Sequence, residues 1–430
     1  MKTLVNDNTL IDLSTKRYWI GKKRMISLMF VTFFFTNGYT QSLSDYLAIA
    51  AQNNPEVKAT YAMFEAAMQK SPQVSALPDP SLTMSAFGQM IETRVGSQEA
   101  RFSLMQMFPW FGTLSAKENA ANLMAEAVFQ NYLDTRNEVF FNVKRMYAEL
   151  YELKKMIELE EENLSILTTY KELAITKFRN GKGAMVDVIR IDIKRNESLT
   201  NIQILKDRNY PLQVAFNSML NRGVEDVINI PSSLLIESYQ DAISDDNIFI
   251  SNPKLVKLDK QKASFEAQKI VSKKEGLPMI GFGLDYSIIS KRNVENLEMN
   301  GQDAIMPMMT VTLPIFRKKY KSAQKEVDFM LQANDYEQEA VKNNLVSTFK
   351  LAEFDLIKSG KLIDLYKDQT ERTEQAIKLL LSAYSNSNID FEEILRMNQD
   401  LLMYQTATAT EIKNQFTAQS KIDYLLSKEE

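Results

Sequence analysis

Apolar and polar residues alternate along four short segments of the chain. A period of two predicts β-strands that each have one apolar and one polar face. In the clearest segment, Ile280, Phe282 and Leu284 alternate with glycine and aspartate. Each segment has about the ten residues that a tilted membrane strand requires, although two-sided strands also occur in soluble sandwiches. The predicted strands are Ser81–Met90, Glu99–Phe108, Met279–Ile289 and Met306–Phe316, and the polar connectors Ile91–Gln98 and Ser290–Asp303 are expected to be hairpin loops.

Most of the remaining chain has the period of a coiled coil. Steps of four and three residues connect apolar positions along Ala125–Phe178 and again along Leu345–Tyr384. Two further apolar series begin near Ala184 and Ile389 and predict helices that return along the first two. Heptads sustained over this length indicate long helices packed at shallow angles. A helix over Ser115–Arg179 would be roughly 100 Å long, so we expect an elongated molecule.

The two halves of the chain have the same predicted order of elements. The pair Asn54-Pro55 recurs as Asn252-Pro253, and segment 178–190 aligns without gaps to segment 384–396. A constant offset of roughly 200 residues predicts an internal two-fold repeat. The predicted domains are a signal peptide (1–41), a first repeat (42–240, with strand hairpin 81–108 and long helices 115–220) and a second repeat (241–430, with strand hairpin 279–316 and long helices 318–427).

The N-terminus has the pattern of an exported protein. A basic cluster at Lys16–Arg24 precedes the apolar run Ile26–Phe35 and a polar exit, as in a secretory signal peptide. The run is shorter than the roughly 20 residues of a membrane-spanning helix, and no later run reaches that length. Residues 1–41 are therefore expected to direct export.

Composition narrows the classes of function. The 430 residues include no histidine and no cysteine, which excludes histidine-based catalysis, disulfides and histidine or thiolate metal sites. Only 13 glycines and 11 prolines are present, fewer than the many turns of an α/β enzyme need. We therefore expect no catalytic residues, no cofactor and no metal centre. The formal net charge of −4 does not suggest a nucleic-acid partner.

These features resemble the TolC family of outer-membrane efflux proteins over essentially the whole mature chain. The resemblance rests on the repeated Asn-Pro pair, the Leu-Pro-Asp-Pro run at Leu77–Pro80, the Phe-Pro-Trp-Phe-Gly junction at Phe108–Gly112 and the duplicated polar turn. The form of the junction is most similar to the heavy-metal efflux subgroup. Four membrane strands cannot close alone, because the smallest membrane barrels have eight. The resemblance implies a mixed but mostly α fold: a homotrimer whose twelve-stranded transmembrane β-barrel, four strands per chain, continues into a long coiled-coil α-helical barrel.

The resemblance also implies a function and partners. It implies the outer-membrane channel of a tripartite efflux system in a Gram-negative bacterium, extending into the periplasm and passively exporting cargo. The implied partners are outer-membrane lipid, a periplasmic adaptor (membrane fusion) protein and an inner-membrane pump of the resistance-nodulation-division type, with heavy-metal cations as a candidate cargo. The alternative is a secreted coiled-coil scaffold or pore-forming protein without efflux partners.

Two groups of candidate site residues follow from these elements. Aromatic rings favour the membrane–water interface, so the first group is a membrane-interface belt, with a plain packing cluster as the alternative. The second group forms the tips of the long helices, which the resemblance identifies as adaptor-docking turns. The belt is Phe108, Trp110 and Phe111, and the tips are Asn180, Gly181, Lys182 and Gly183 together with Asn386, Ser387 and Asn388.

A third group lies one turn into the two return helices. Asp187 and Glu393 occupy equivalent positions of the repeat, and the resemblance implies a periplasmic gate there. Family members often have a second acid three residues later, where this chain has Arg190 and Arg396. We therefore expect acid–arginine pairing between neighbouring helices at the gate, although ordinary solvated charges would show the same pattern.

Methionines are frequent around the predicted strands. Thioether sulfurs suit Cu(I), but methionine is also a common filler of apolar faces. The sequence favours the second interpretation, in which these methionines fill apolar faces and bind no metal. The residues concerned are Met105, Met107, Met299, Met306, Met308 and Met309.

Overall fold

A computed structural model describes residues 41–234, 249–386 and 390–428 of the protein. The predicted signal peptide lies outside this part, except for Gln41. Residues 41–430 form one unit, and its described part is mostly helical, as predicted, with a small antiparallel sheet. The elements in chain order are α1 (Leu43–Asn53), α2 (Pro55–Met68), α3 (Lys70–Ser75), β1 (Ser81–Thr93), β2 (Gly96–Phe108), α4 (Thr113–Arg179), α5 (Met185–Met219), α6 (Pro253–Glu275), β3 (Ile280–Ser290), β4 (Ala304–Val311), α7 (Arg317–Asn386) and α8 (Phe391–Leu425).

The Asn-Pro pair begins a helix in each half. The side chain of Asn54 accepts hydrogen bonds from two backbone N–H groups in the first turn of α2, and Pro55 is the first helical residue. Asn252 caps α6 by accepting a hydrogen bond from the N–H of Lys254. Asparagine at the cap and proline at the next position are both favoured, because the cap satisfies a free N–H and proline has none to lose.

The same two asparagines also connect distant parts of the chain. Asn54 Nδ2 donates to the carbonyl oxygen of Met219 at 2.8 Å, and Asn252 Nδ2 donates to the carbonyl oxygen of Leu425 at 3.0 Å. Each asparagine therefore fixes the start of α2 or α6 to the last residue of a return helix, α5 or α8.

Two very long helices dominate the described structure. The helices α4 and α7 have 67 and 70 residues, a length of roughly 100 Å each at 1.5 Å per residue. The return helices α5 and α8 have 35 residues each. The helix α4 packs against α5, α6 and α8, whereas α7 packs against α6 and α8.

Buried apolar side chains form separate clusters along these helices. Tyr46 and Phe216 pack edge to face, with ring centroids 5.2 Å apart, in a cluster of α1, α4 and α5. At the far end of α4, Tyr170 packs against Phe391 of α8 in a cluster that also includes α5 and α7. The ends of all four long helices are thus held by one apolar cluster.

The strands form one antiparallel sheet in the order β1-β2-β3-β4. The two hairpins join because β2 pairs with β3 from Phe108 opposite Ile280 to Ser97 opposite Ser290. The strands β1 and β4 are the edges, and no strand among the described residues pairs with their outer sides.

The structure corrects the first predicted hairpin loop, Ile91–Gln98. The strand β1 continues to Thr93 and β2 begins at Gly96, so only two residues form the turn. Polar side chains suggested a loop, but they do not interrupt the backbone ladder. The hydroxyl of Thr93 even donates to the carbonyl oxygen of Gly96 at 2.7 Å and closes the turn.

The second hairpin follows the prediction except at its end. Its connector is a loop over residues 291–303, close to the predicted Ser290–Asp303. The strand β4 ends at Val311 and not at Phe316. Thr312 and Met279 exchange the last hydrogen bonds of the ladder, and Pro314 has no N–H that could extend it.

Candidate functional site

The central strand β3 exposes large apolar side chains and covers polar ones. On β3, Phe282 is 57% exposed and Leu284 is 47% exposed, whereas Asp285 between Leu284 and Tyr286 is 1% exposed. A sheet in a soluble protein has the opposite arrangement, because apolar side chains leave water on folding. We call the side of Leu284 the apolar face and the side of Asp285 the polar face.

The apolar face is continuous across all four strands. Leu82, Leu104 and Leu284 lie opposite one another on β1, β2 and β3, with Pro307 next to them on β4. The neighbouring row is Met84, Phe102, Tyr286 and Ile305. Large contiguous apolar patches mark surfaces that contact protein or lipid.

An ion pair joins the two hairpins on the polar face. The carboxylate of Asp285 on β3 accepts hydrogen bonds from the guanidinium of Arg101 and the hydroxyl of Ser103, both on β2. The carboxylate is almost fully covered, while the arginine side chain is about two-fifths exposed. A buried charge costs several kcal/mol unless it is paired, which explains why both partners are present.

The three predicted belt residues lie where the sheet meets α4. Phe108 packs edge to face on Phe282, and Trp110 packs edge to face on Phe111, each pair with ring centroids 6.1 Å apart. All three rings are exposed, Phe111 the most at 81%. The three aromatic rings are thus accessible on the surface of one chain.

The junction owes its geometry to Gly112. Gly112 has φ 72°, a left-handed conformation that glycine adopts without strain, and it is the residue before α4. The ammonium of Lys274 donates to the carbonyl oxygen of Phe111 at 3.1 Å. The turn between the belt and the long helix is therefore fixed by backbone geometry and by α6.

The first predicted tip is a tight, exposed turn. Gly181 has φ 68°, and the N–H of Lys182 donates to the carbonyl oxygen of Lys177 at 2.9 Å. Asn180, Gly181 and Lys182 are exposed, and Gly183 is half-buried against Lys177. In the second tip, Asn386 is the last residue of α7, while Ser387 and Asn388 lie outside the described residues.

The two arginines among the predicted gate residues both contact acidic side chains, but only Arg190 does so between helices. The guanidinium of Arg190 in α5 lies 2.9 Å from the carboxylate of Glu392 at the start of α8. The carboxylate of Asp187, in the same helix as Arg190, is farther away at 3.9 Å. Arg396 pairs within α8, with its guanidinium 2.5 Å from Glu393. Arg190 therefore connects the two return helices, and Arg396 does not.

Asp187 is nearly buried beneath these charges. Burial raises the pKa of its carboxyl above the ordinary value, and the carboxylate of Asp390 raises it further, while Arg190 lowers it. Tyr384 of α7 is also buried, which raises the pKa of its hydroxyl. Among the described residues, no hydrogen-bond partner reaches that hydroxyl.

Sequence reasoning missed two members of this cluster, Glu392 and Lys177. Glu392 takes part by pairing with Arg190. Lys177 donates to the carbonyl oxygen of Tyr384, and its ammonium lies 4.1 Å from the centre of the tyrosine ring. Heptads placed Tyr384 in a packing position, but only the arrangement of α4 against α7 shows its contact with Lys177.

No helix in the described part of the chain combines the length and apolarity that a membrane crossing requires. Within the same residues, no three aspartate, glutamate, histidine or cysteine side chains cluster as they would around a metal ion.

Comparison with known proteins agrees with this geometry. Residues 47–209 match the family model of the outer membrane efflux proteins. No curated protein sequence is significantly similar to the chain. The match covers most of the first predicted repeat, and this family consists of channels and not of enzymes.

The described fold is that of solved outer membrane channels. VceC from Vibrio cholerae is 14% identical with a TM-score of 0.72, and the alignment covers 89% of this chain and 95% of VceC. CmeC from Campylobacter jejuni is 13% identical with a TM-score of 0.71, covering 89% and 85%. MtrE from Neisseria gonorrhoeae, solved in an open state, is 14% identical with a TM-score of 0.71, covering 89% and 88%. The match of residues 47–209 to the outer membrane efflux family indicates an outer membrane location.

Proposed function

We propose that the protein is the outer-membrane channel of a tripartite efflux system and acts as a passive conduit. The observation that carries the proposal is the sheet, where Phe282 and Leu284 are exposed while Asp285 is covered. Lipid on the apolar face and water on the polar face would satisfy both sets of side chains. A secreted scaffold does not account for the sheet, because its strands would hide their apolar side chains from water.

The proposed assembly is a homotrimer with a twelve-stranded β-barrel. The edges β1 and β4 are unpaired within one chain, and lipid does not tolerate open sheet edges. In an antiparallel sheet of four strands, β4 of one copy can pair with β1 of the next. Three copies, rather than two, are proposed because of the resemblance to the TolC family.

The long helices offer matching surfaces for neighbouring copies. Ile193 and Ile204 of α5 and Leu351 and Phe354 of α7 are exposed in one chain. Three copies of α4, α5, α7 and α8 would bury such side chains in an α-helical barrel that continues the β-barrel into the periplasm. Each half of the chain, as one unit of the proposed repeat, would supply one hairpin and two of these helices.

The ends of the molecule have different proposed roles. Phe108, Trp110 and Phe111 would lie at the periplasmic boundary of the membrane. Roughly 100 Å away along α4, the exposed turn at Asn180–Gly183 would dock the periplasmic adaptor of a resistance-nodulation-division type pump. The cluster of Asp187, Arg190, Glu393 and Arg396 would lie at the periplasmic gate, and heavy-metal cations are a candidate cargo.

Arginine substitutions on adjacent residues of β1 test the membrane assignment. Met84 lies on the apolar face and Thr83 on the polar face, and both are exposed in one chain. Met84→Arg should destabilise the barrel by about 2–4 kcal/mol near the bilayer midplane, whereas Thr83→Arg would face water. We expect Met84→Arg to reduce the heat-labile trimer in outer-membrane fractions and its channel activity in planar bilayers. Equal effects of the two substitutions, or a wild-type protein that is soluble in the periplasm, would contradict the proposed function.

A further inference from the structure

Four methionines lie on the polar face of the sheet. Met105 lies opposite Gly283, which in turn lies opposite Met308, and Met107 lies opposite Gly281. Residues paired directly across antiparallel strands share a face, and alternate residues along a strand do too. The thioethers therefore stand on the same side as the ion pair of Arg101 and Asp285. The fourth methionine of this face is Met306, opposite Asp285.

Two glycines make room for the sulfur atoms. A Cβ atom at Gly281 would collide with Sδ of Met107 and would lie 3.2 Å from Sδ of Met105. A Cβ atom at Gly283 would lie 2.7 Å from Cε and 3.1 Å from Sδ of Met105. Both sulfurs are thus close to the same point above Gly281, and they are neighbours of each other.

Filling of an apolar face does not explain these methionines. The apolar face of the sheet is the other one, and it carries its own methionines, Met84 and Met309. Met105, Met107 and Met308 are only half-buried, so they do not fill a closed core. Their neighbours on the polar face include charged and hydroxyl side chains, which form no apolar environment.

We propose that Met105, Met107 and Met308 form a binding site for a soft monovalent cation, Cu(I) or Ag(I), on the channel wall. Thioether sulfur is a soft ligand that selects such ions. The side chain of Met308 is unbranched and flexible, so it can turn across Gly283 toward Met105 and Met107. The nearby carboxylate of Asp285 is already held by Arg101 and Ser103, so the site offers no free hard ligand. The proposal rests on the proposed function, because the channel must bring the ion to the polar face.

Silver retention by the purified full-length protein tests the site. Ag(I) is added to the trimer in detergent, free ion is removed by gel filtration, and bound silver is measured by mass spectrometry. The variant Met105→Leu/Met107→Leu removes two thioethers from the polar face. Met84→Leu/Met309→Leu removes two from the apolar face and is the matched control. We expect wild type and control to retain silver, with Ag–S scattering in X-ray absorption, and the polar-face variant to lose it.

The outcomes separate this site from the proposed channel. Equal silver retention in the two double variants, or none in wild type, would overturn the site. Conductance of the same samples in planar bilayers reports on the channel itself. Channels that conduct but retain no silver contradict the site alone, whereas silver bound by a protein that forms no channel contradicts the proposed function alone. If the polar-face double variant does not assemble, the single variant Met107→Leu replaces it in the same comparison.

Discussion

Asp285 connects the two halves of the chain through hydrogen bonds. It belongs to β3, whereas both of its hydrogen-bond partners, Arg101 and Ser103, belong to β2. The carboxylate is covered, so its charge depends on those partners and not on water. The side chain of Asp285 thus helps to hold the second hairpin against the first.

A double-mutant cycle tests this contribution. Arg101→Leu should leave the covered Asp285 carboxylate without its guanidinium partner, and removing one member of a buried pair costs up to about 3–5 kcal/mol. Asp285→Leu should cost less, because the Arg101 side chain is about two-fifths exposed and its charge stays in contact with water. The double variant should lose much less than the sum, since no unpaired charge remains. The measurement is the urea dependence of trimer unfolding in detergent, and strictly additive losses would show that the pair is not coupled.

The raised pKa of Asp187 predicts that the stability of the start of α5 depends on pH. Its folded-state pKa is raised by burial and by Asp390, so the folded protein binds this proton more tightly than the unfolded chain. Ionised Asp187 therefore destabilises the folded state above the raised pKa, and the penalty disappears as pH falls toward the ordinary value of 3.8. Asp187→Asn should slow hydrogen exchange at the start of α5 at neutral pH relative to wild type, and the difference should vanish at about pH 3.5.

Asp192 provides a control of opposite sign in the same helix. Its pKa is lowered, mainly by the hydrogen bond from Lys171, whose ammonium lies 2.6 Å away. Ionised Asp192 therefore stabilises the folded state at neutral pH, and Asp192→Asn should speed exchange there. Slower exchange in both variants at neutral pH would contradict the role of burial at Asp187.

At the scale of elements, the Asn-Pro pair has two functions that act together. As a cap, Asn54 satisfies N–H groups of α2, and as a donor it binds the carbonyl oxygen of Met219. Loss of a cap costs about 0.5–2 kcal/mol, and loss of a typical hydrogen bond costs about 0.5–1.5 kcal/mol. The pair thus determines both where α2 begins and where α5 ends against it.

Asn54→Ala should lower the free energy of unfolding by about 1–3 kcal/mol, because both contributions are lost. Asn252→Ala should have a similar effect through Leu425. The control is Asn196→Ala, an exposed position within α5 where alanine favours the helix. Urea unfolding of the purified trimer gives the three values. A loss at Asn54 no larger than at Asn196 would show that the cap and the link to Met219 are dispensable.

The sequence predicted elements better than the contacts between them. Alternation located β1–β4, since side-chain period follows directly from strand geometry. The two-residue turn at Arg94 and Val95 was not predicted, because polar side chains are compatible with both loops and paired strands. The second hydrogen bond of Asn54 and the pairing of Arg190 with Glu392 depend on how helices are placed against each other. Heptads do not fix that placement, because they leave the rotation and stagger of a helix open.

At the scale of the whole molecule, the helix ends combine one apolar cluster with few ion pairs between helices. Tyr170, Ile191 and Phe391 belong to the cluster that joins all four long helices. Arg190 adds a contact between α5 and α8 through Glu392. An exposed ion pair is worth only about 0–1 kcal/mol, but a trimer would contain three copies of it.

Channel conductance tests whether the ion pair between Arg190 and Glu392 helps to keep the channel closed, or whether helix packing alone does so. Arg190→Glu places a negative charge beside Glu392, Asp187 and Asp390, so it should push α8 away from α5 in every copy. We expect higher single-channel conductance of the purified trimer in planar bilayers, and greater sensitivity of producing cells to large antibiotics. Arg396→Glu is the matched control, because Arg396 pairs only with Glu393 of its own helix among the described residues. Unchanged conductance in Arg190→Glu, at normal trimer yield, would mean that the apolar cluster closes the channel. A rise of equal size in both variants would mean that overall charge, rather than the contact between α5 and α8, controls the opening.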